Sequence, residues 1–168
     1  ESLTLNAELF NVPIVMAHRG DSSEAPENTM AAFESAIDNM ADYIELDVQM
    51  TKDGVVVVSH DSNLRRVAGV NKNIWQVTYD EIKDLDAGSF FDPQFAGETI
   101  PTLEEVVQLT KGKIRLNIEM KPTGHEIGFE AEVARIIEEY GIEDSCMVCS
   151  MKYKTLENIK KINPNIET

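Results

Sequence analysis

The run Tyr43-Ile44-Glu45-Leu46-Asp47-Val48 sets two carboxylates into an otherwise apolar stretch with a single residue between them. A β-strand alternates its faces with period two, so Glu45 and Asp47 share one side while Ile44, Leu46 and Val48 share the other. The apolar side requires a core, and the acidic side requires something that tolerates two adjacent negative charges. A cation does so; an apolar layer does not. Leu116-Asn117-Ile118-Glu119-Met120-Lys121 repeats the design, with Asn117, Glu119 and Lys121 on one face. Carboxylates from Glu45, Asp47 and Glu119 form an all-oxygen donor set, suited to a hard divalent ion such as Mg²⁺ or Ca²⁺ rather than to zinc. The competing reading is a pair of solvated charges on an edge strand.

Around these two segments the chain alternates strand and helix, the pattern of a parallel α/β fold. Residues 14 to 19 read as a buried first strand. Asn28 is placed to cap a helix whose apolar face is Met30, Phe33, Ile37 and Met40. Thr51-Lys52-Asp53-Gly54 is too short for a parallel crossover, so 43 to 50 and 55 to 60 are expected as an antiparallel hairpin. A turn centred on Lys52-Asp53 sets His60 opposite Glu45, and one centred on Asp53-Gly54 sets it opposite Asp47.

Residues 61 to 100 break this rhythm and read as an inserted subdomain or lid with one short helix, opened by the capping box Thr78-x-x-Glu81. The rhythm resumes with Thr102-x-x-Glu105, a helix to Gly112, and a strand at 114 to 119. A helix follows that stops at Gly141, then a strand at 145 to 149 and a helix that Asn163-Pro164 ends. A further strand is expected to start at Ile166-Glu167-Thr168. The domain is thus read as 12 to 168, with 1 to 11 as an N-terminal extension.

Acidic residues outnumber basic ones by 30 to 15, a formal charge of −15. Such a field repels nucleic acid, and it makes a bound cation and local Arg or Lys the more necessary if the substrate is itself an anionic phosphate. The apolar runs are too short to span a bilayer. Cys146 and Cys149 have C-x-x-C spacing, but three residues apart on a strand they face opposite sides, which favours two separate thiols over a disulfide or a metal site.

In parallel α/β folds, functional groups gather at the C-terminal ends of the strands. His18, Arg19, Glu45, Asp47, His60, Glu119 and Lys121 all fall there or on the hairpin that returns there, and the third histidine, His125, lies in a loop just beyond. Carboxylates for an ion, two imidazoles for proton transfer, and an Arg and a Lys for phosphoryl oxygens form a set suited to phosphodiester cleavage.

The chain also resembles a family. His18-Arg19-Gly20, Pro26-Glu27-Asn28-Thr29, Glu45-x-Asp47-Val48, Thr51-Lys52-Asp53-Gly54, His60-Asp61, Pro101-Thr102-Leu103-Glu104-Glu105 and Asn117-x-Glu119-x-Lys121 are similar, in order and spacing, to the motifs of glycerophosphodiester phosphodiesterases. The resemblance implies a TIM-type barrel with an inserted subdomain, hydrolysing glycerophosphodiesters to sn-glycerol 3-phosphate and an alcohol. It implies His18 and His60 as the acid/base pair, Glu45, Asp47 and Glu119 as ligands of one Ca²⁺ or Mg²⁺, and Arg19 and Lys121 as phosphate contacts. The insertion most resembles bacterial members, including some that follow a membrane-embedded region, and it leaves the location unknown between a cytoplasmic and a cell-surface domain of a bacterial protein.

Two residues depart from the family pattern. Ser23 and Met40 each stand where many members have Gly. A complete barrel typically takes about 250 residues, so the sheet is expected to stop near a sixth strand and remain open. Two alternatives stay beside the main reading: an inactive barrel fragment acting in binding or assembly, and a phospholipase D-like activity on lipid head groups.

Overall fold

The computed structural model describes residues 13–168, so the expected extension at 1 to 11 lies outside the described residues. One sheet organises the chain. Its strands are β1 (Met16–His18), β2 (Tyr43–Met50), β3 (Val56–Val58), β4 (Arg115–Met120) and β5 (Cys146–Cys149). The order is β1-β2-β4-β5 with all neighbours parallel, while β3 pairs antiparallel with β2. Val48 is paired with Met120 and with Val58 at once, so β3 lies on the β1 side of β2, beyond the point where β1 ends.

The helices are α1 (Met30–Asp38), α2 (Arg65–Ala68), α3 (Tyr79–Ile82), α4 (Leu103–Thr110), α5 (Phe129–Glu139) and α6 (Tyr153–Ile162). None of them is long and apolar enough to cross a membrane. The expected capping box opens α4, where the Thr102 side chain accepts from the Glu105 N–H at 3.1 Å and the Glu105 carboxylate reaches back to the Thr102 N–H. At the end of α5, Gly141 takes the left-handed conformation (φ 62°) that the sequence implied.

Ile44, Leu46, Val48 and Met50 of β2 form one core with Leu116, Ile118 and Met120 of β4, Val148 of β5, and the inner faces of α1, α4, α5 and α6. The opposite face of β3 has another partner. Val57 is fully buried with Leu64, Val67, Ile74, Val77, Ile82, Ala87 and Ile100, a second cluster drawn almost wholly from residues 61 to 100. Alternation along a three-residue strand therefore ties this segment to the sheet: Val56 and Val58 go to the first core, Val57 to the second.

Four details differ from the sequence reading. The segment 61 to 100 contains two short α-helices and two 3₁₀ turns (Ile74–Gln76 and Pro93–Phe95) instead of one helix: left-handed Gly69 ends α2 after about one turn, and Asp92, followed by Pro93, opens a separate 3₁₀ turn. The first strand is shorter than 14 to 19 and is not buried. Ile14, Val15 and Met16 are exposed, since β1 is an edge of the sheet and no element among the described residues covers that side. Met40 does not continue the apolar face of α1. It follows the helix with φ 60° and is 85% exposed.

The hairpin register is the fourth difference. β2 and β3 are antiparallel as expected, but Val48 faces Val58 and Met50 faces Val56, so the connection is centred on Asp53 and neither anticipated register occurs. Thr51 N–H donates to the Val55 carbonyl, and Gly54 has φ 85°, which makes the three-residue loop with a left-handed glycine. β3 then ends at Val58, and His60 lies beyond it, opposite neither Glu45 nor Asp47. At the other end of the sheet, where a further strand was expected at 166 to 168, Glu167 forms an isolated parallel bridge with Met147 of β5.

Candidate active site

Parallel register stacks the second face of the sheet into rows. His18, Glu45, Asn117 and Met147 stand in one row across β1, β2, β4 and β5, and Asp47, Glu119 and Cys149 stand in the next. The result is convergence of three carboxylates from two strands: one ligand atom from each of Glu45, Asp47 and Glu119 lies within 4.8 Å of the others. Glu45 and Asp47 are buried, and Glu119 is half-buried.

Glu45 Oε1 and Asp47 Oδ1 are buried oxygens with no hydrogen-bond partner. Leaving a buried carboxylate oxygen unpaired is costly. Two such oxygens beside a third carboxylate fit a hard divalent cation, so the donor set passes the test its chemistry allows. Burial, then the charge of Asp47 and to a lesser extent that of Glu119, pushes the Glu45 carboxyl up to about 7. The same charges reach across the row. Burial first, and then Glu119, Glu45 and Asp47, push the Cys149 thiol up to about 11. Cys146 is buried on the helix side, so the two thiols face opposite ways and both are free.

His18 and Arg19 come from the end of β1. His18 Nε2 is 3.5 Å from Glu45 Oε2, with the imidazole largely exposed. Left-handed backbone at Arg19 (φ 57°) and Gly20 (φ 81°) turns the chain sharply here, and the Arg19 N–H donates to Glu45 Oε2 at 3.2 Å. Gly20 is required by space as well as by φ, since a Cβ there would lie 2.8 Å from Ala32 of α1. The Arg19 guanidinium meets Glu27 (Nη1 to Oε2, 3.1 Å) and approaches Asp47 (Nε to Oδ2, 3.5 Å).

Asn28 belongs to the site instead of capping α1. Thr29 is the cap, its hydroxyl accepting from the Ala32 N–H at 3.3 Å. The Asn28 amide donates to Asp47 Oδ2 at 3.0 Å from a buried position with φ 57°. The expectation failed because Asn28 and Thr29 are both good capping residues and only the fold shows which is needed elsewhere.

His60 is reached by a different route from the one expected. It lines a small crevice with Glu27, Asn28 and Thr29, next to the residue that holds Asp47. Its Nδ1 is 2.8 Å from Asp61 Oδ1, and the Gln49 amide donates to its carbonyl at 3.0 Å. Arg66, then His60, hold the Asp61 carboxyl down to about 2. Lys121 follows β4 on the Glu119 face, half-buried, its N–H donating to the Val48 carbonyl at 3.1 Å. Among the described residues it makes no ion pair. Glu27 and Arg66 were not singled out in the sequence reading. Both lie in or beside quoted motifs, but their partnership spans 39 residues and no local spacing encodes it.

A parallel α/β sheet carrying an acidic trio, two nearby imidazoles and two cationic side chains at its strand ends defines a TIM-barrel-type protein with a candidate metal-assisted hydrolytic site. Residues 18–168 match the glycerophosphoryl diester phosphodiesterase family, and the chain belongs to that family. It is 44% identical over 157 residues to a glycerophosphodiester phosphodiesterase of Caldanaerobacter subterraneus, covering 92% of this chain and 64% of that protein. The crystal structure of a glycerophosphodiester phosphodiesterase from Agrobacterium tumefaciens superposes with a TM-score of 0.85 at 32% identity, over 92% of this chain and 65% of that one. A phosphodiesterase from Oleispira antarctica, in complex with the product sn-glycerol-3-phosphate, superposes with a TM-score of 0.79 at 33% identity, over 91% of this chain and 63% of that one. The chain thus spans just under two thirds of the length of these relatives, and its open sheet corresponds to part of their barrel.

Proposed function

We propose that this protein acts in the hydrolysis of glycerophosphodiesters to sn-glycerol 3-phosphate and an alcohol. The observation that carries the proposal is the convergence of Glu45, Asp47 and Glu119 with two buried, unpartnered carboxylate oxygens. Ca²⁺ or Mg²⁺ held by these residues would supply neutralisation of phosphoryl oxygens in a field that otherwise repels them.

The remaining roles follow from the chemistry of each group. Arg19 and Lys121 are the cations available to bind the phosphate and to oppose charge developing on it. Asp61 accepts from Nδ1 of His60, which fixes the neutral imidazole as the Nδ1–H tautomer and leaves Nε2 with a lone pair. We therefore assign His60 as the base that takes a proton from the nucleophile. His18 is the other of the two imidazoles at the strand ends, with its Nε2 3.5 Å from Glu45 Oε2 and its ring largely open to solvent. It is assigned as the acid that protonates the departing alkoxide. The substrate is a small-molecule diester whose hydrolysis leaves a phosphate monoester of the kind bound as product, sn-glycerol-3-phosphate, in the Oleispira antarctica structure.

The test is release of glycerol 3-phosphate from glycerophosphocholine, glycerophosphoethanolamine and glycerophosphoglycerol by the longest chain that contains this sequence, with and without chelator. Chelator-sensitive release, restored by Ca²⁺ or Mg²⁺, is the expected result. Release that survives complete chelation overturns the role given to the trio, and no release from any of the three substrates overturns the substrate class.

A further inference from the structure

Arg66 sits on α2, inside the inserted segment, and touches none of the seven residues assigned to chemistry. It grips two carboxylates with one guanidinium. Its Nε and Nη2 donate to Asp61 Oδ2 and Oδ1 at 2.9 and 3.1 Å, and its Nη1 and Nη2 donate to Glu27 Oε1 and Oε2 at 2.5 and 3.0 Å. Each carboxylate has its other contact in the site. Asp61 Oδ1 is 2.8 Å from His60 Nδ1, and Glu27 Oε2 is 3.1 Å from Arg19 Nη1. Read end to end, His60, Asp61, Arg66, Glu27, Arg19 and Asp47 form one chain of alternating basic and acidic groups.

We infer that Arg66 is a positioning residue through which the inserted segment holds both the imidazole of His60 and the guanidinium of Arg19 in place. The inference rests on the phosphodiester reading of the site. Arg is required by geometry. Two carboxylates on opposite sides of one side chain need a planar fork with donors on two edges, and a lysine ammonium is a single point that serves one well. Without the guanidinium, Glu27 and Asp61 become neighbouring anions with no shared partner, and each is free to leave the residue it orients. The base of the fork is fixed independently: Leu64 and Val67, flanking Arg66, are buried in the second hydrophobic cluster. Packing of residues 61 to 100 is thereby converted into the position of two groups on the sheet face.

Two measurements test this in the longest chain that contains the sequence. The first needs no turnover: nitrogen NMR of the His60 ring near neutral pH in the parent, Arg66→Ala and Arg66→Lys. The parent should show the Nδ1–H tautomer, and both variants a mixed tautomer, with most other amide signals unmoved. If Arg66→Ala does not fold, the Lys variant carries the comparison. Unchanged His60 ring signals overturn the inference whatever the activity.

The second is a set of mutant cycles on kcat/KM. Arg66→Ala should lower it about 10- to 100-fold, with Ca²⁺ or Mg²⁺ affinity changed by no more than a few-fold. In His60→Ala or Arg19→Ala the same substitution should cost much less, because one of its two targets is already gone. An equal fold-loss on every background marks a general structural role and overturns the inference. A parent chain without turnover counts against the proposed function alone, because the ring-nitrogen result stands by itself.

Discussion

Glu45 and Asp47 leave β2 on the same face, and the charge of the second raises the proton affinity of the first. Burial is the larger cause and Asp47 the next, and together they carry the Glu45 carboxyl up to about 7. The consequence for the metal-free protein has a definite sign. Between an ordinary glutamate value near 4.5 and about 7, the folded state keeps a proton that the unfolded chain has lost. Stability should therefore be greatest below that window, fall as pH rises through it by roughly 3 kcal/mol, and level off above. Urea unfolding in chelator at pH 5 to 8 measures this, and Glu45→Gln should flatten the profile. Divalent affinity should move the opposite way, rising with pH to about 7 with net release of a proton on binding. A parent profile with no slope in the window would remove Glu45 as the titrating group.

Asn28 is predicted to matter more than its polar neighbours. It is buried, holds Asp47 Oδ2 at 3.0 Å, and has a left-handed φ that Asn tolerates better than most residues. Asn28→Ala loses a charge-assisted hydrogen bond and keeps the backbone strain, so a destabilisation of about 2 kcal/mol is expected. Divalent affinity should also fall, by about tenfold, as Asp47 loses its anchor. Isothermal titration and urea melts on the same samples measure both quantities. A variant destabilised with metal affinity intact would limit Asn28 to folding.

The comparison of sequence with structure turns on which patterns are local. Period-two spacing on two strands was enough to bring Glu45, Asp47 and Glu119 together, because parallel neighbours keep their faces aligned once Asp47 pairs with Glu119. His18 and Arg19 followed because β1 pairs parallel beside β2. The hairpin was legible as antiparallel, but its register depends on Gly54 adopting φ 85°, which adds a third loop residue and moves His60 beyond the strand pair. Asn28 and Arg66 were out of reach for another reason. Their partners, Asp47 for one and Glu27 and Asp61 for the other, meet them through chain topology instead of through helix or strand periodicity.

Met40 offers a gain in stability away from the site. It ends the α1 turn at φ 60°, and its side chain is 85% exposed. A left-handed residue with a Cβ costs about 1 kcal/mol or more, part of which glycine returns as extra entropy in the unfolded chain. Met40→Gly should therefore stabilise by about 0.5 to 1 kcal/mol, while Met40→Ala, which keeps the Cβ, should not. Parallel urea melts of the three proteins decide it. A glycine variant no more stable than the alanine one would mean that the turn is unstrained.

The two histidines should separate by leaving group. Replacing either His18 or His60 by Ala is expected to lower turnover by about 10²- to 10⁴-fold, the range for loss of a proton-transfer group. Divalent binding should persist in both, since the carboxylates of Glu45, Asp47 and Glu119 remain. The base must start neutral and the acid protonated, so the parent rate should follow a bell-shaped pH profile, and each variant should lose one limb. A nitrophenyl diester has a leaving group that departs without a proton. It should restore much of the rate in His18→Ala and little in His60→Ala, because His60, with Nδ1 held by Asp61 at 2.8 Å, is the ring assigned to take a proton from the nucleophile. Rescue of His60→Ala instead would exchange the two roles. Equal losses with every leaving group would contradict a division of labour, and near-normal turnover in either variant would remove that imidazole from the reaction.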